Sequence, residues 1–432
     1  MSHPALADHP RRHAAVIFVF VTVLIDLLSF GIIIPVLPHL IVDLVGGSIS
    51  RAAVWASGFG TAFMLMQFLC SPIQGALSDR FGRRTVILIS CCGLGADFIV
   101  MALAPALWIL FIGRILSGAA SASYTTANAY IADITPREKR AAAFGLLGAA
   151  FAIGFLVGPA LGGVLGHVWI RLPFWVAAGL SLTNFVYGLL ILPESLPPER
   201  RSPRLEWKHA NPVGALVLLQ RYPQVLALAA VFFLMALAQF SLNGTFVLYT
   251  DYRFGWGPLT VGLALALVGL CTGIVQGGLV RPLLPRFGER GLMLIGLGCA
   301  AIGYLCFGLA PQAWLFWLGI PILCLGGLAS PPAQSVMTGQ VDAAEQGRLQ
   351  GALTSVRSLA GIIAPLIFAN LFALFISQHA PLQPARNYSG VSFVLAALLS
   401  LAALVLAARA TRGMRKSTPD ATPVAPAPGN PI

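Results

Sequence analysis

The chain has 432 residues, 57% of them hydrophobic and 10% charged, against about 25% charged in an ordinary soluble domain. Its mean hydropathy of +0.84 leaves too little polar surface to face water all round, which excludes a soluble enzyme, a disordered chain and a collagen-like fibre. The 27 Lys and Arg against 15 Asp and Glu are not gathered on a water-facing domain, as nucleic-acid binding requires, so the basic excess is read as membrane topology.

A bilayer core about 30 Å thick is crossed by roughly 20 apolar residues in a helix. Twelve such runs follow one another, at 14–40, 53–77, 85–104, 107–132, 141–167, 172–192, 223–249, 258–283, 291–310, 313–337, 349–378 and 390–409. They are continuous rather than alternating, which excludes a β-barrel. The first is too long for a signal peptide and lacks a small-residue cleavage site, so it is expected to remain as a membrane helix. The predicted fold is all-α: twelve transmembrane helices in two six-helix bundles, residues 14–192 and 223–409. A short N-terminal stretch (1–13), a charged linker (193–222) and a Pro- and Ala-rich tail (410–432), expected to be disordered, complete the chain.

Of the Lys and Arg outside the spans, 21 fall on one set of loops and ends and 4 on the other. The positive-inside rule then places both termini and the linker in the cytoplasm of a multi-pass inner-membrane protein. The seven cysteines (Cys70, Cys91, Cys92, Cys271, Cys299, Cys306, Cys324) lie in apolar stretches without zinc-ligand spacing, so they are read as small buried hydrophobes and no metal site is assigned. No Gly-x-x-x-x-Gly-Lys-[Ser/Thr] loop is present for nucleotide-driven pumping.

The two halves echo one another. Arg80-Phe81-Gly82-Arg83-Arg84 recurs as Arg286-Phe287-Gly288-Glu289-Arg290, and at the same offset of 206 Gly145 meets Gly351 and Pro159 meets Pro365. A duplicated six-helix unit follows, and two such units facing each other form a cleft at the membrane midplane, the plan of a secondary transporter.

Four ionisable residues lie within spans, away from their ends: Asp26, Asp97, Arg114 and Arg357. Charges in hydrocarbon are costly and are functional candidates by default. A carboxylate in such surroundings holds its proton at higher pH than in water, so Asp26 and Asp97 are candidates for loading and releasing a proton as the cleft changes sides. Pro35 and Pro38 after Asp26 mark a bend. In the fourth span Arg114, Ser117, Gly118, Ser121, Thr125 and Asn128 recur at spacings of three and four, one helical face expected to line a water-filled cavity. In the fifth, Gly154, Gly158, Gly162 and Gly166, with Pro159 and Gly163 beside them, form a small-xxx-small face for close helix packing. The Gly75-Ala-Leu-Ser-Asp79-Arg80-Phe-Gly82-Arg83-Arg84 turn places an acid and glycines where contacts made and broken would bias the cleft orientation.

These stretches resemble a known family. Gly75–Arg84 looks like the signature loop of the major facilitator superfamily, Gly113-Arg114-Ile-Leu-Ser-Gly118 like its fourth-helix arginine motif, and Gly154-Phe-Leu-Val-Gly158-Pro159-Ala-Leu-Gly162-Gly163 like the fifth-helix motif of its antiporters. Pro35–Pro38, Ser78–Arg84, Tyr130–Thr135, Asp251–Phe254 and Gln346–Gly351 resemble the Tet-type tetracycline/proton antiporters. The resemblance implies an antiporter, not an enzyme. It would export a small amphipathic compound such as tetracycline by alternating access, driven by a proton gradient without a resident cofactor. Its cargo travels as a metal complex in that family. The resemblance places Asp26, Asp97 and Arg114 on positions tied to coupling or substrate and matches Gln276 to an eighth-helix polar position; Gln67, Asn128 and Arg357 complete the candidate proton-coupling or substrate residues. Where these antiporters carry a ninth-helix aspartate this chain has Ala300, where they carry an eighth-helix histidine it has Thr272, and Arg357 adds a charge in the eleventh helix. The expected partners are the cargo, protons and lipid, with no nucleic acid; the sequence sets no oligomeric state, and a monomer is compatible with it. A proton-coupled metabolite importer on the same fold is the alternative. A membrane enzyme is a remote one, because the seven histidines (His3, His9, His13, His39, His167, His209, His379) are scattered and no His-Glu-x-x-His or Gly-x-Ser-x-Gly occurs.

Overall fold

A computed structural model describes residues 10–121, 123–135, 140–197, 199, 201, 223–341, 346–377 and 388–412. The start of the N-terminal stretch, the linker from 202 to 222 and the tail from 413 lie outside the described residues, and so do the expectations made for them.

Every described element is helical. The first crossing is α1 (Pro10–Ile33) and α2 (Leu37–Leu44). Turns at Ile34–Val36 separate them, and α2 restarts with a proline in its first turn, where a missing N–H costs nothing. The second is α3 (Ile49–Phe81), opened by Ser48, whose side chain accepts from the Arg51 N–H at 3.4 Å. It ends at Gly82, whose φ of 100° suits only glycine. The third is α4 (Arg83–Leu103), the fourth α5 (Leu107–Ala120) plus α6 (Ser123–Ile134), the fifth α7 (Arg140–Val168), the sixth α8 (Leu172–Ile191) and the seventh α9 (Pro223–Phe254). Then α10 (Pro258–Ile274) runs through a π-helical turn, Val275–Leu279, into α11 (Val280–Leu309). The tenth crossing is α12 (Ala313–Cys324), a 3₁₀ turn at Leu325–Ala329 and α13 (Ser330–Thr338); the last two are α14 (Gln346–Ile376) and α15 (Val391–Ala410).

Among the described residues, ten stretches are long and apolar enough to cross a membrane; one of them, Pro258–Leu309, has 52 residues, and Leu107–Ala120 is a shorter apolar helix. At 1.5 Å per residue 52 residues span about 78 Å, enough for two crossings, and α5 with α6 makes one more, which yields the expected twelve. The expected gap between the eighth and ninth spans is instead helix, interrupted at Gly288, whose φ is 68°. Gly82 and Gly288, equivalent in the sequence repeat, thus share a left-handed break.

In the first half α1 packs on α7 and α8, α4 on α5 and α8, and α3 on α5; in the second, α9 packs on α14 and α15, and α11 on α12 and α15. Two seams join the halves, α7 with α10 and α3 with α14. They are the fifth crossing on the eighth and the second on the eleventh, the same pairing with the halves exchanged.

The two ends of the molecule differ. At the end away from Gly82 and Gly288, the far end, one apolar core runs through both halves, from Val36, Leu40 and Phe59 to Tyr249, Phe316 and Phe372. At the turn end each half keeps its own core: Phe18, Ile87 and Tyr130 in the first, Val225, Met293 and Leu349 in the second. Among the described residues, four hydrogen bonds cross between the halves toward the far end. Ser50 Oγ donates to Ala373 O at 3.0 Å, Thr61 Oγ1 to Ile362 O at 3.2 Å and Asn370 Nδ2 to Ser57 Oγ at 3.1 Å, with His39 against Trp256 O at 3.3 Å. The halves are therefore closed at the far end and separate at the turn end.

All seven cysteines are free; Cys91 and Cys324 are buried as expected, whereas Cys92 is exposed.

Candidate functional site

Two carboxylate centres hang on α4. Asp97 points toward α5 and is fully buried, with Arg114 7% exposed beside it. Arg114 Nη2 stands 3.4 Å from Asp97 Oδ2 and donates to Ser117 Oγ at 3.1 Å; the Ser117 hydroxyl donates to the same carboxylate oxygen. The guanidinium also reaches Met101 Sδ at 3.0 Å and lies 5.7 Å from the Phe63 ring centroid, a cation–π distance.

The sequence produces this nest through two glycines. A Cβ at Gly113 would stand 2.6 Å from Asp97 Oδ1, and one at Gly118 would stand 2.4 Å from the backbone oxygen of Phe63. Gly113 lets the carboxylate against α5, and Gly118 lets α5 against α3. The arrangement is incomplete: Asp97 Oδ1 and Arg114 Nε are buried without a hydrogen-bond partner. A buried oxygen in that condition carries a desolvation cost that no hydrogen bond offsets.

Asp26 belongs to the other centre. Its Oδ1 accepts from Asn184 Nδ2 of α8 at 3.0 Å and stands 3.7 Å from Cys91 Sγ of α4; Asn184 Nδ2 also reaches Thr22 O at 3.0 Å. Cys91 and Asp97 are six residues apart, about 9 Å along a helix and on different faces. The two candidate acids are thus held separately, with α4 between them. A lone Asn in an apolar run, Asn184 carries no sequence pattern beyond its depth within a span.

The expected polar face of the fourth span is not continuous. The helix breaks after Ala120, with Ser121 in a turn donating to Gly118 O at 2.9 Å. Arg114, Ser117 and Gly118 lie on α5 and Asn128 on α6, while the side chain of Thr125 is outside the described residues. Arg114 is buried and paired, not open to a cavity: a period of 3.6 extrapolates a face only as far as the helix runs.

Gln67 is half-buried on α3. Gln276 is exposed in the π-helical turn together with Gly277 and Gly278, opposite Gly327 of the 3₁₀ turn, where an added Cβ would stand 3.6 Å from Gln276 Nε2. Arg357 is exposed on α14 in line with Gln350 and Thr354. The positions at which the family resemblance leads one to look for an acid and a histidine are filled by neutral packing. A Cβ at Gly326 would stand 2.9 Å from Ala300 Cβ, and Thr272 Oγ1 is 3.7 Å from Cys324 Sγ.

The signature turn is a network within the first half. Arg83 Nη1 pairs with Asp79 Oδ1 at 2.5 Å and Arg83 Nε with Asp133 Oδ2 at 3.1 Å, and Ser78 Oγ receives Arg83 Nη1 at 2.6 Å. Arg84 Nη2 donates to Leu189 O at 2.6 Å, Arg80 lies over the Phe81 ring at 5.2 Å, and Ser78 Oγ donates to Gly75 O. Glu194, just past α8, accepts from the N–H groups of Arg83, Ser195 and Leu196 at 2.8, 3.0 and 3.1 Å, placing a carboxylate at the N-terminus of α4 where anions are favoured. A Cβ at Gly82 would stand 2.1 Å from Glu194 Oε2. Glu194 falls in the stretch expected to be a charged linker; its signal is an acid directly after a span, with a glycine-led helix start elsewhere.

The glycines of α7 serve two partners. At Gly154, Gly158 and Gly162 an added Cβ meets Leu27, Gly31 and Ile32 of α1; at Gly163 it meets Pro258 O at 2.7 Å and Gly262 Cα at 3.0 Å, across the seam. Pro159 O lies against Gly262.

Residues 19–365 match the Major Facilitator Superfamily. The chain is similar to the tetracycline resistance protein, class C, of Escherichia coli (36% identical, 91% of this chain and 96% of that one). It is also similar to the class G protein of Vibrio anguillarum (34% identical, 92% and 98%). A crystal structure of the human organic anion transporter MFSD10 (TETRAN) superposes with a TM-score of 0.68 at 25% identity, over 92% of this chain and all of that one. The match over most of the chain and the twelve crossings joined by two exchanged seams agree: the chain belongs to the Major Facilitator Superfamily.

Proposed function

We propose that this multi-pass membrane transporter is a proton-coupled antiporter that exports a small amphipathic compound, tetracycline or a related drug, from the cytoplasm. In this reading the turn end, with its many arginines, faces the cytoplasm and both termini lie there. The separate cores at that end then leave the cleft open inward, in position to take up cargo. The relatives' names support the cargo class, and alternating access between the two bundles is the mode of action.

The observation that carries the coupling is the buried Asp97 with Oδ1 unpartnered beside Arg114 and Ser117. Protonated, the carboxyl releases Arg114; ionised, it holds it. Exchange between these states alters how α4 and α5 pack, and α5 reaches α3 of the seam through Gly118. Arg357 on the α14 side of the cleft supplies a positive charge for the cargo, and without an acid at Ala300 the second half has no built counter-ion for a metal–drug cation there. Asp97→Asn in inverted membrane vesicles tests the reading: proton-driven tetracycline uptake should fall by at least roughly tenfold, the size of effect expected when a buried charged partner is lost. Full uptake in the variant would remove Asp97 from the coupling.

A further inference from the structure

His39 lies on α2, after the proline break, and faces the second half across the far-end seam. Its Nδ1 is 2.9 Å from Pro35 O, and its Nε2 is 3.3 Å from Trp256 O and 4.0 Å from Asp251 Oδ2. Both short contacts are to carbonyl oxygens, which only accept hydrogen bonds. A neutral imidazole donates through one nitrogen and would turn a lone pair on the other carbonyl. Only the protonated ring serves both, and only it gains from the carboxylate of Asp251.

We propose that His39 is a proton-binding site of the far-end gate, occupied when the seam closes and emptied when it opens. The inference deepens the antiporter reading and rests on it for the identity of the far end as the outer face. The charged surroundings agree from each neighbouring element. Asp251 of α9 faces the ring, and Asp43, one turn further along α2, is within electrostatic reach of Asp251. Arg253 of α9 is directed away, to Ala310 O at 3.3–3.4 Å. Arg51 of α3 and His167 of α7 are exposed. The protonated ring places a cation beside the Asp251 carboxylate. Opening the seam draws Trp256 O and Asp251 away from Nε2, so closure and proton binding favour each other reciprocally. Histidine changes charge between pH 5 and 8, within the span over which an outer face is acidified. Protons arriving from outside would thus draw the emptied carrier back to the state open toward the cytoplasm.

The test uses the full chain with its native cysteines replaced and spin labels at Arg51→Cys and Gln312→Cys, one on each half at the far end. In lipid nanodiscs without cargo, pulsed electron resonance reads the short- and long-distance populations from pH 5.5 to 8.0. With His39 present, the ratio of closed to open should fall by roughly tenfold as pH rises, the equivalent of one charge-assisted hydrogen bond. His39→Gln, which donates but does not titrate, should flatten the response, and Asp251→Asn, which removes the facing carboxylate, should weaken it. An unchanged pH response in His39→Gln, or none in the parent, overturns the proposal. Proton-driven efflux, measured separately in vesicles, keeps the two readings apart. Efflux that follows the proton gradient with no pH response of the distances sinks the gate site alone. A His39-dependent response without gradient-driven efflux sinks the antiporter reading and leaves the site standing.

Discussion

At the scale of single residues, the site is built as much from missing side chains as from charged ones. Gly113 makes the room in which the Asp97 carboxylate sits, and a methyl group there would stand 2.6 Å from Oδ1. Overpacking a buried contact of this kind costs about 1–3 kcal/mol, so Gly113→Ala should lower the melting temperature in detergent, and Gly113→Ala in an Asp97→Ala background should cost less because the collision is gone. Arg357 stands apart from this nest, exposed on α14. If it meets an acidic group of the cargo, Arg357→Gln should raise the apparent KM for transport several-fold, roughly the loss of one charge-assisted bond, with kcat largely kept. An effect on kcat alone would assign it to the conformational step. Asp26, Asp97, Arg114 and Arg357 were legible in the sequence because charge is conspicuous in apolar runs. Asn184 and Ser117's exact role were not, since neutral polar residues gain meaning only from what they touch.

Among the elements, the junction of α3, α4 and the segment after α8 concentrates most of the first half's ion pairs. Glu194 caps the start of α4 through the Arg83 N–H and ties its own segment down through the N–H groups of Ser195 and Leu196, and removal of a capping side chain costs about 0.5–2 kcal/mol. Glu194→Ala should therefore destabilise the protein by that order and slow transport. Asp79 is half exposed and paired with Arg83, so Asp79→Asn should slow turnover several-fold, an exposed pair being worth little to stability, while cargo binding by equilibrium titration stays intact. Unaltered turnover would reduce the turn to a folding element. Helix existence was readable throughout from length and hydropathy, and the positions of the breaks were partly so. Gly82, Gly288 and the Pro35–Pro38 pair announce themselves; the interruption after Ala120 and the π-helical turn at Val275 do not. Neither break carries a proline, and single residues such as Ser121 or Gln276 do not by themselves mark one.

For the molecule as a whole, the inequality of the two ends is the dominant feature. Ser50 Oγ reaches Ala373 O at 3.0 Å across the far-end seam. A disulfide between Ser50→Cys and Ala373→Cys should form readily, stop transport, and release it again on reduction; transport that continues with the bond formed would show that this end need not open. The sequence repeat predicted that the halves correspond, but nothing in one chain's sequence tells which of two equivalent orientations is occupied.

The seam between α7 and α10 holds one further consequence. Toward the far end its glycines are in use, Gly163 against Gly262 and Gly269 against Leu156. Further along the same two helices, Gly145 and Gly148 of α7, and Gly273 with Gly277 and Gly278 beyond it, have nothing within 4 Å and are exposed. The pair of rods is thus notched along its whole length, although only one set of notches is engaged. A rocking motion would mesh the idle set as it disengages the other, so the counterpart of the present closure is already cut into the chain. Blunting the idle notches, as with Gly148→Leu, should strand the carrier in the posture seen here, with cargo still bound from one side and none delivered to the other.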